Sequence, residues 1–166
     1  MEAWYVVHTR ARQERVAVEH LNRQGFDTHL PLIHSPKRLR GRWCEVIEPL
    51  FPGYLFIWLD VQQQNTAPIR STRGVNGLVS FGGNLRPVPQ VLVEQLMAAQ
   101  LDRDGAIRQE HLFQSGDRVE IVSGPMAGLQ AIFLAPSGQE RAHLLLELLG
   151  RSNQVVVSHH QLIPAL

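Results

Sequence analysis

The side chains that could do chemistry sort quickly, and catalysis is the first class to go. The nucleophile elbow GxSxG, the Walker A loop, GxGxxG and HExxH are all absent from the sequence. The eight histidines are scattered. His159 and His160 are neighbours, so on a strand they would point to opposite faces and could not chelate one ion. Cys44 is the single cysteine, which excludes an intramolecular disulfide and a cysteine-type zinc site. Its strand-like surroundings read as half-buried. The chain is therefore read as a non-enzyme, with no catalytic residue, metal or cofactor.

Binding chemistry is better represented. Of the 16 basic residues only Lys37 is lysine, and arginine suits bidentate and stacking contacts. Arg10, Arg12 and Arg15 crowd the start of a helix, and Arg70, Thr72 and Arg73 form a second set. A helix N-terminal region carrying Arg and Gln offers donors to phosphates and base edges, although an ordinary solvated helix face has the same look. Lys37, Arg38, Arg40 and Arg42 mark a basic tip, either a nucleic-acid contact or a solvated hairpin. The run EPLFPGYLF at 48–56 concentrates Phe51, Tyr54 and Phe56. On a strand Tyr54 and Phe56 share one face, with Leu55 and Ile57 on the other. Both faces are apolar, so one covers a core helix and the other needs a cover from a partner or a second domain.

The elements that must position these groups follow from periodicity. Residues 3–7 read as a buried strand, and 11–24 as a helix with Ala17, Val18 and Leu21 on one stripe, stopped by Gly25. Strands are expected at Phe26–Ile33, Trp43–Glu48, Gly53–Leu59 and Leu78–Phe81, with a loop or hairpin tip at 34–42. A helix over Gln90–Leu101 carries Leu92, Val93, Leu96 and Met97 on one stripe. This order predicts an α+β domain with an antiparallel sheet and flanking helices.

The 166 residues leave room for a second small domain. Residues 102–115 form the best linker. It separates 1–101, with 11 basic and 8 acidic side chains, from 102–166, with 5 and 7. These opposite net charges favour docking of the two parts. Residues 116–166 have the size and turn spacing of a five-stranded β-barrel. One stretch disagrees: 139–149 (QERAHLLLELL) is rich in helix formers and lacks β-branching. No segment is apolar enough to span a bilayer and no signal peptide is evident, which suggests a soluble, cytoplasmic protein without a membrane partner.

Three motifs in order resemble one family. WYVVHTRARQE with the helix ending at Gly25, then EPLFPGYLF, then STRGV at 71–75, resemble the N-terminal domain of NusG-type transcription elongation factors. GDRVEIVSGPMAGLQAIF at 116–133 resembles their C-terminal KOW module. NTAPIRSTRGV, GLQAIF and LLLELL resemble the specialised antiterminator branch of the family, RfaH, most closely.

The resemblance implies a monomer that binds RNA polymerase and suppresses pausing and termination. Phe51, Tyr54 and Phe56 would dock on the clamp helices, and Asn65 and Thr66 on the gate loop, where Asn65-Thr66-Ala67 departs from the branch's His-Thr-Thr. Arg10, Gln13, His20, Thr72 and Arg73 match positions that read non-template single-stranded DNA. The KOW module would contact a small-subunit ribosomal protein, the NusE partner. In that branch the C-terminal domain is a helical hairpin packed on the polymerase patch that refolds to a barrel when released. Glu48 and Arg141 match an interdomain salt bridge, and Ile121 and Phe133 match apolar contacts of the same interface. A general NusG-like factor with a permanently β-folded KOW domain, and a ribosome- or RNA-binding KOW protein, are the alternatives.

Overall fold

The computed structural model describes residues 1–100, 106–107, 120–121, 132, 135, 137–151 and 163–164. Its centre is a four-stranded antiparallel sheet built from β1 (Ala3–Thr9), β2 (Asp27–His29), β5 (Tyr54–Leu59) and β6 (Val75–Leu78), in the order β2-β5-β1-β6. The register pairs Val6 with Phe56 and Val7 with Leu55, so alternate residues feed two separate apolar clusters. Tyr5, Val7, Leu55 and Ile57 face α1 (Glu14–Arg23), meeting its Ala17 and Leu21. Val6 and Phe56 face the other way. The α+β antiparallel architecture expected from the sequence is the one observed.

Gly25 ends α1 as predicted. Its φ is +93°, its N–H donates to the Asn22 carbonyl at 3.0 Å, and the Phe26 N–H donates to Leu21 at 3.2 Å. Both bonds satisfy carbonyls that the helix leaves unpaired, in the pattern of a Schellman stop.

Several boundaries differ from expectation. The strand expected at Phe26–Ile33 is two strands, because the chain changes partner at Leu30-Pro31: β2 pairs with β5, whereas β3 (Leu32–Leu39) pairs with β4 (Arg42–Pro49). Of the loop or hairpin tip expected at 34–42, the hairpin is what forms: most of the segment is strand, and only Arg40 and Gly41 form the turn. Both have positive φ, +53° and +79°, the geometry of a two-residue type I′ hairpin. Cys44 is exposed on this arm rather than half-buried, since among the described residues no second layer covers this outer part of the two-stranded arm. The strand expected at Leu78–Phe81 is divided between β6 and β7 (Ser80–Phe81), which pairs with β8 (Asn84–Leu85).

A short helix, α2 (Ala67–Arg70), precedes β6. In α3 (Gln90–Ala99), Leu92, Val93 and Leu96 are buried, but Met97 is exposed. Residues 139–149 lie within α4 (Gly138–Arg151), so local propensity prevails there. A two-residue pair, β9 (Glu120–Ile121) with β10 (Ile163–Pro164), is antiparallel. Most of the linker, Phe133, His159 and His160 lie outside the described residues, as does the Ile121 side chain. Among the described residues, no helix is long and apolar enough to cross a membrane.

Candidate functional site

Two surfaces are assembled by the sheet. The first grows from the turn before β5. Gly53, at φ +87°, reverses the chain, and its peptide is held from both sides: the Thr9 N–H donates to its carbonyl at 2.8 Å and its own N–H donates to Glu14 Oε2 at 2.8 Å. Glu14 is buried at the first turn of α1, and sequence reasoning had given it no role. A carboxylate next to an apolar helix stripe was the available signal, since a buried acid requires a donor. This anchor sets where the three aromatics stand.

Phe51 and Phe56 are each only 1% exposed and meet edge-on, with centroids 5.9 Å apart. Tyr54 is half-buried and stacks on His8 at 5.0 Å. The second apolar face of β5 has its cover within the chain. Leu92, Val93 and Leu96 of α3 join Phe51 and Phe56 in one cluster with Ala142, Leu145, Leu148 and Leu149 of α4. His29, across from Phe56 on β2, stacks on that ring at 6.2 Å and has a buried Nε2 with no hydrogen-bond partner. Burial lowers its pKa from 6.5 to about 4, so it sits there as a neutral ring.

Polar contacts hold α4 at both ends. Arg141, 4% exposed, donates from Nε to the Leu50 carbonyl at 2.9 Å and from Nη1 to the Ala135 carbonyl at 3.2 Å. Burial pushes the guanidinium pKa down, and the nearby charge of Glu48 pulls it back up. The direct ion pair of Glu48 is with Lys37, at 3.0 Å. Glu48 thus acts on Arg141 through space while the backbone carbonyls make the hydrogen bonds. At the start of α4, Gly138 lies so close to Pro52 that a Cβ there would be 2.7 Å from Pro52 Cγ.

The second surface lies on the α1 side. The Arg10 N–H donates to the Gly74 carbonyl at 2.8 Å, and Gly74, at φ +85°, presses against the start of α1. A Cβ on Gly74 would stand 3.0 Å from the Ala17 nitrogen and 3.2 Å from the Gln13 carbonyl. The backbone therefore brings Arg10, Gln13 and Arg73 into one neighbourhood. Gln24 extends it: its amide donates to the Thr72 hydroxyl at 2.7 Å and to the His20 carbonyl at 3.2 Å. Arg10 and Arg73 are exposed. Thr72 is buried, and its hydroxyl also donates to Pro68 at 2.8 Å, so it shapes the loop that presents Arg73. Asn65 and Thr66 lie at the start of α2. The Asn65 side chain accepts the Ala67 N–H at 3.0 Å, and the Thr66 carbonyl accepts from Ile69 at 3.1 Å. Among the described residues, no group of three or more His, Cys, Asp or Glu is placed to hold a metal.

An antiparallel sheet with α1 on one face and an aromatic patch on the other, and an arginine cluster at the strand–helix junction, make this a binding module in form. The model of the family described as "Transcription termination factor nusG" matches residues 2–97, more than half of the chain, and the chain belongs to the NusG family. It is 29% identical over 182 residues to the transcription termination/antitermination protein NusG of Thermus thermophilus, covering 98% of each. To the protein of the same name from Lactococcus lactis it is 28% identical over 172 residues, covering 97% of this chain and 92% of the relative. Among solved structures it is similar to that described as "Domain interaction in Thermotoga maritima NusG", at 23% identity, 75% coverage of each chain and a TM-score of 0.41. The family match bears out the resemblance of the sequence to NusG-type transcription factors.

Proposed function

We propose that this chain is an operon-specific elongation and antitermination factor whose polymerase-binding patch is kept covered until it is recruited. The observation that carries this reading is the burial of Phe51 and Phe56, each 1% exposed, in one apolar cluster with Ala142, Leu145, Leu148 and Leu149 of α4 as well as with α3. An aromatic patch suited to a partner is occupied by the chain's own C-terminal segment, so binding requires that segment to leave. The patch would take the clamp helices of RNA polymerase, and Asn65 and Thr66 the gate loop. Arg10, Gln13, His20 and Arg73 would hold the exposed non-template strand, combining backbone charge with hydrogen-bonding groups. Contact of residues 116–166 with a ribosomal protein would couple transcription to translation.

A second reading is a general NusG-type factor, favoured by the names of the relatives. The two separate on one experiment with the full-length chain. Arg141→Ala removes the charged donor to the Leu50 carbonyl. On the covered-patch reading it raises capture of RNA polymerase and reduces dependence on a DNA element. Capture equal to wild type, already strong on any template, favours the general factor. Tyr54→Ala and Phe56→Ala should weaken capture in either case, since truncating an interface aromatic costs about 2 kcal/mol or more.

A further inference from the structure

α4 is bracketed by two arginines that point in opposite directions. Arg141, on the helix, donates into the N-terminal domain at Leu50. Arg86, in the segment between β8 and α3, donates the other way: its Nη1 lies 2.5 Å from the Gly150 carbonyl. Gly150 is in the last turn of α4, where carbonyls have no acceptor role left within the helix. A cation there also meets the negative end of the helix dipole. The Arg86 guanidinium carbon sits 5.5 Å from the centre of the Phe81 ring, so a cation–π contact fixes its plane. No carboxylate among the described residues pairs with Arg86, and its Nε is buried without a partner. The group is thus committed to α4.

From this geometry we infer that Arg86 is a latch: a positioning residue that caps the C-terminal end of α4 and sets how firmly that helix covers the Phe51–Phe56 patch. The two carbonyl contacts, at residues 141 and 150 of α4, lie about 13 Å apart along the helix axis. Gripping a helix at both ends resists the fraying that would begin its release. Because the acceptor on α4 is the Gly150 backbone carbonyl, the Arg86 contact asks for no particular side chain at that position. The inference deepens the covered-patch reading and rests on it for its functional consequence, while the latch itself is readable separately.

The experiment is hydrogen exchange on the full-length protein, comparing wild type, Arg86→Met and Arg86→Lys. Methionine keeps an apolar stem and loses the donors and the charge; lysine keeps the charge and one donor. A charged hydrogen bond of this kind corresponds to about tenfold in local opening. Amides of 142–149 should exchange about tenfold faster in Arg86→Met, with β1 and β5 unchanged, and Arg86→Lys should recover part of the protection. Unchanged protection of α4, or an equal acceleration in β1 and β5, overturns the latch. Phe81→Leu, which removes the ring beneath the guanidinium, should give a smaller loosening of α4 and serves where Arg86→Met does not yield folded protein. Capture of RNA polymerase by the same variants is read in parallel. If α4 loosens but capture does not rise, the latch stands and the covered-patch reading falls.

Discussion

Replacing Gly138 by alanine should release α4 from the patch, although it makes the isolated helix better. Gly138 is the first residue of α4 and has no need of glycine's backbone freedom; its requirement is space. An added Cβ would lie 2.7 Å from Pro52 Cγ and 2.9 Å from Pro52 Cδ. The proline ring is stiff, and the neighbouring Gly53 peptide is fixed by Thr9 and Glu14, so the ring cannot retreat cheaply. Ordinary contact then requires α4 to lift by roughly 1 Å at this end, and overpacking of this sort costs about 1–3 kcal/mol. Against this, glycine to alanine gains at most about 1 kcal/mol of helix propensity, less at a terminus. The net is about 1–2 kcal/mol against docking, or roughly 5- to 30-fold in the docked-to-undocked ratio. Hydrogen exchange of 142–149 in the full-length chain measures it. Propensity alone predicts slower exchange and the clash predicts faster, so the sign decides. Unchanged or slower exchange would refute the close approach of Gly138 and Pro52 as the limit on docking.

His29 should make the fold acid-sensitive. Its neutral form is favoured in the folded state, with a pKa of about 4 against 6.5 unfolded, so below 6.5 the unfolded chain binds more protons. The stabilisation is complete above pH 6.5 and is lost as pH falls toward 4, amounting to about 2 kcal/mol by pH 5. His29→Leu should flatten that part of a urea-midpoint profile, and an identical slope in both proteins would count against it. Glu14→Ala should lower stability by about 1–3 kcal/mol by leaving the Gly53 N–H without its acceptor; a urea midpoint equal to wild type would exclude that anchor. Gly74→Ala places a side chain at φ +85° and against the α1 backbone, so it should destabilise by about 1–3 kcal/mol and disperse the arginine cluster. Single-strand DNA binding that survives Gly74→Ala in a folded protein would separate the cluster from that function. Arg73→Ala should weaken single-strand binding and lower its salt slope by roughly 0.7 if the side chain meets a phosphate; an unchanged slope means it does not.

Much of this protein is legible in local sequence because local physics controls it. The unbroken apolar run at 54–59 announces a strand with two apolar faces, and the register with β1 bears that out, with Leu55 and Ile57 to α1 and Phe56 to the opposite side. Gly25 stops its helix because a left-handed residue there satisfies two carbonyls, which involves only neighbours in the chain. The ambiguity of 139–149 is equally legible: leucine-rich helix formers where a barrel strand was expected.

What covers the second face of β5 is a tertiary matter. Residues near 51–56 and 142–149 are far apart in sequence, and only packing brings them together. The same holds for Glu14, whose role depends on a peptide at Gly53, and for Arg86, which looks like any solvated arginine until the carbonyl of Gly150 is placed 2.5 Å away. Glu48 and Arg141 show the finer limit. Sequence resemblance pairs them, but the structure routes the hydrogen bonds of Arg141 to backbone carbonyls and leaves Glu48 bonded to Lys37. A carbonyl is present at every residue, so composition carries no trace of which one an arginine will find. Periodicity determines which faces are apolar; only the tertiary fold, by bringing distant backbone into contact, decides what closes over them.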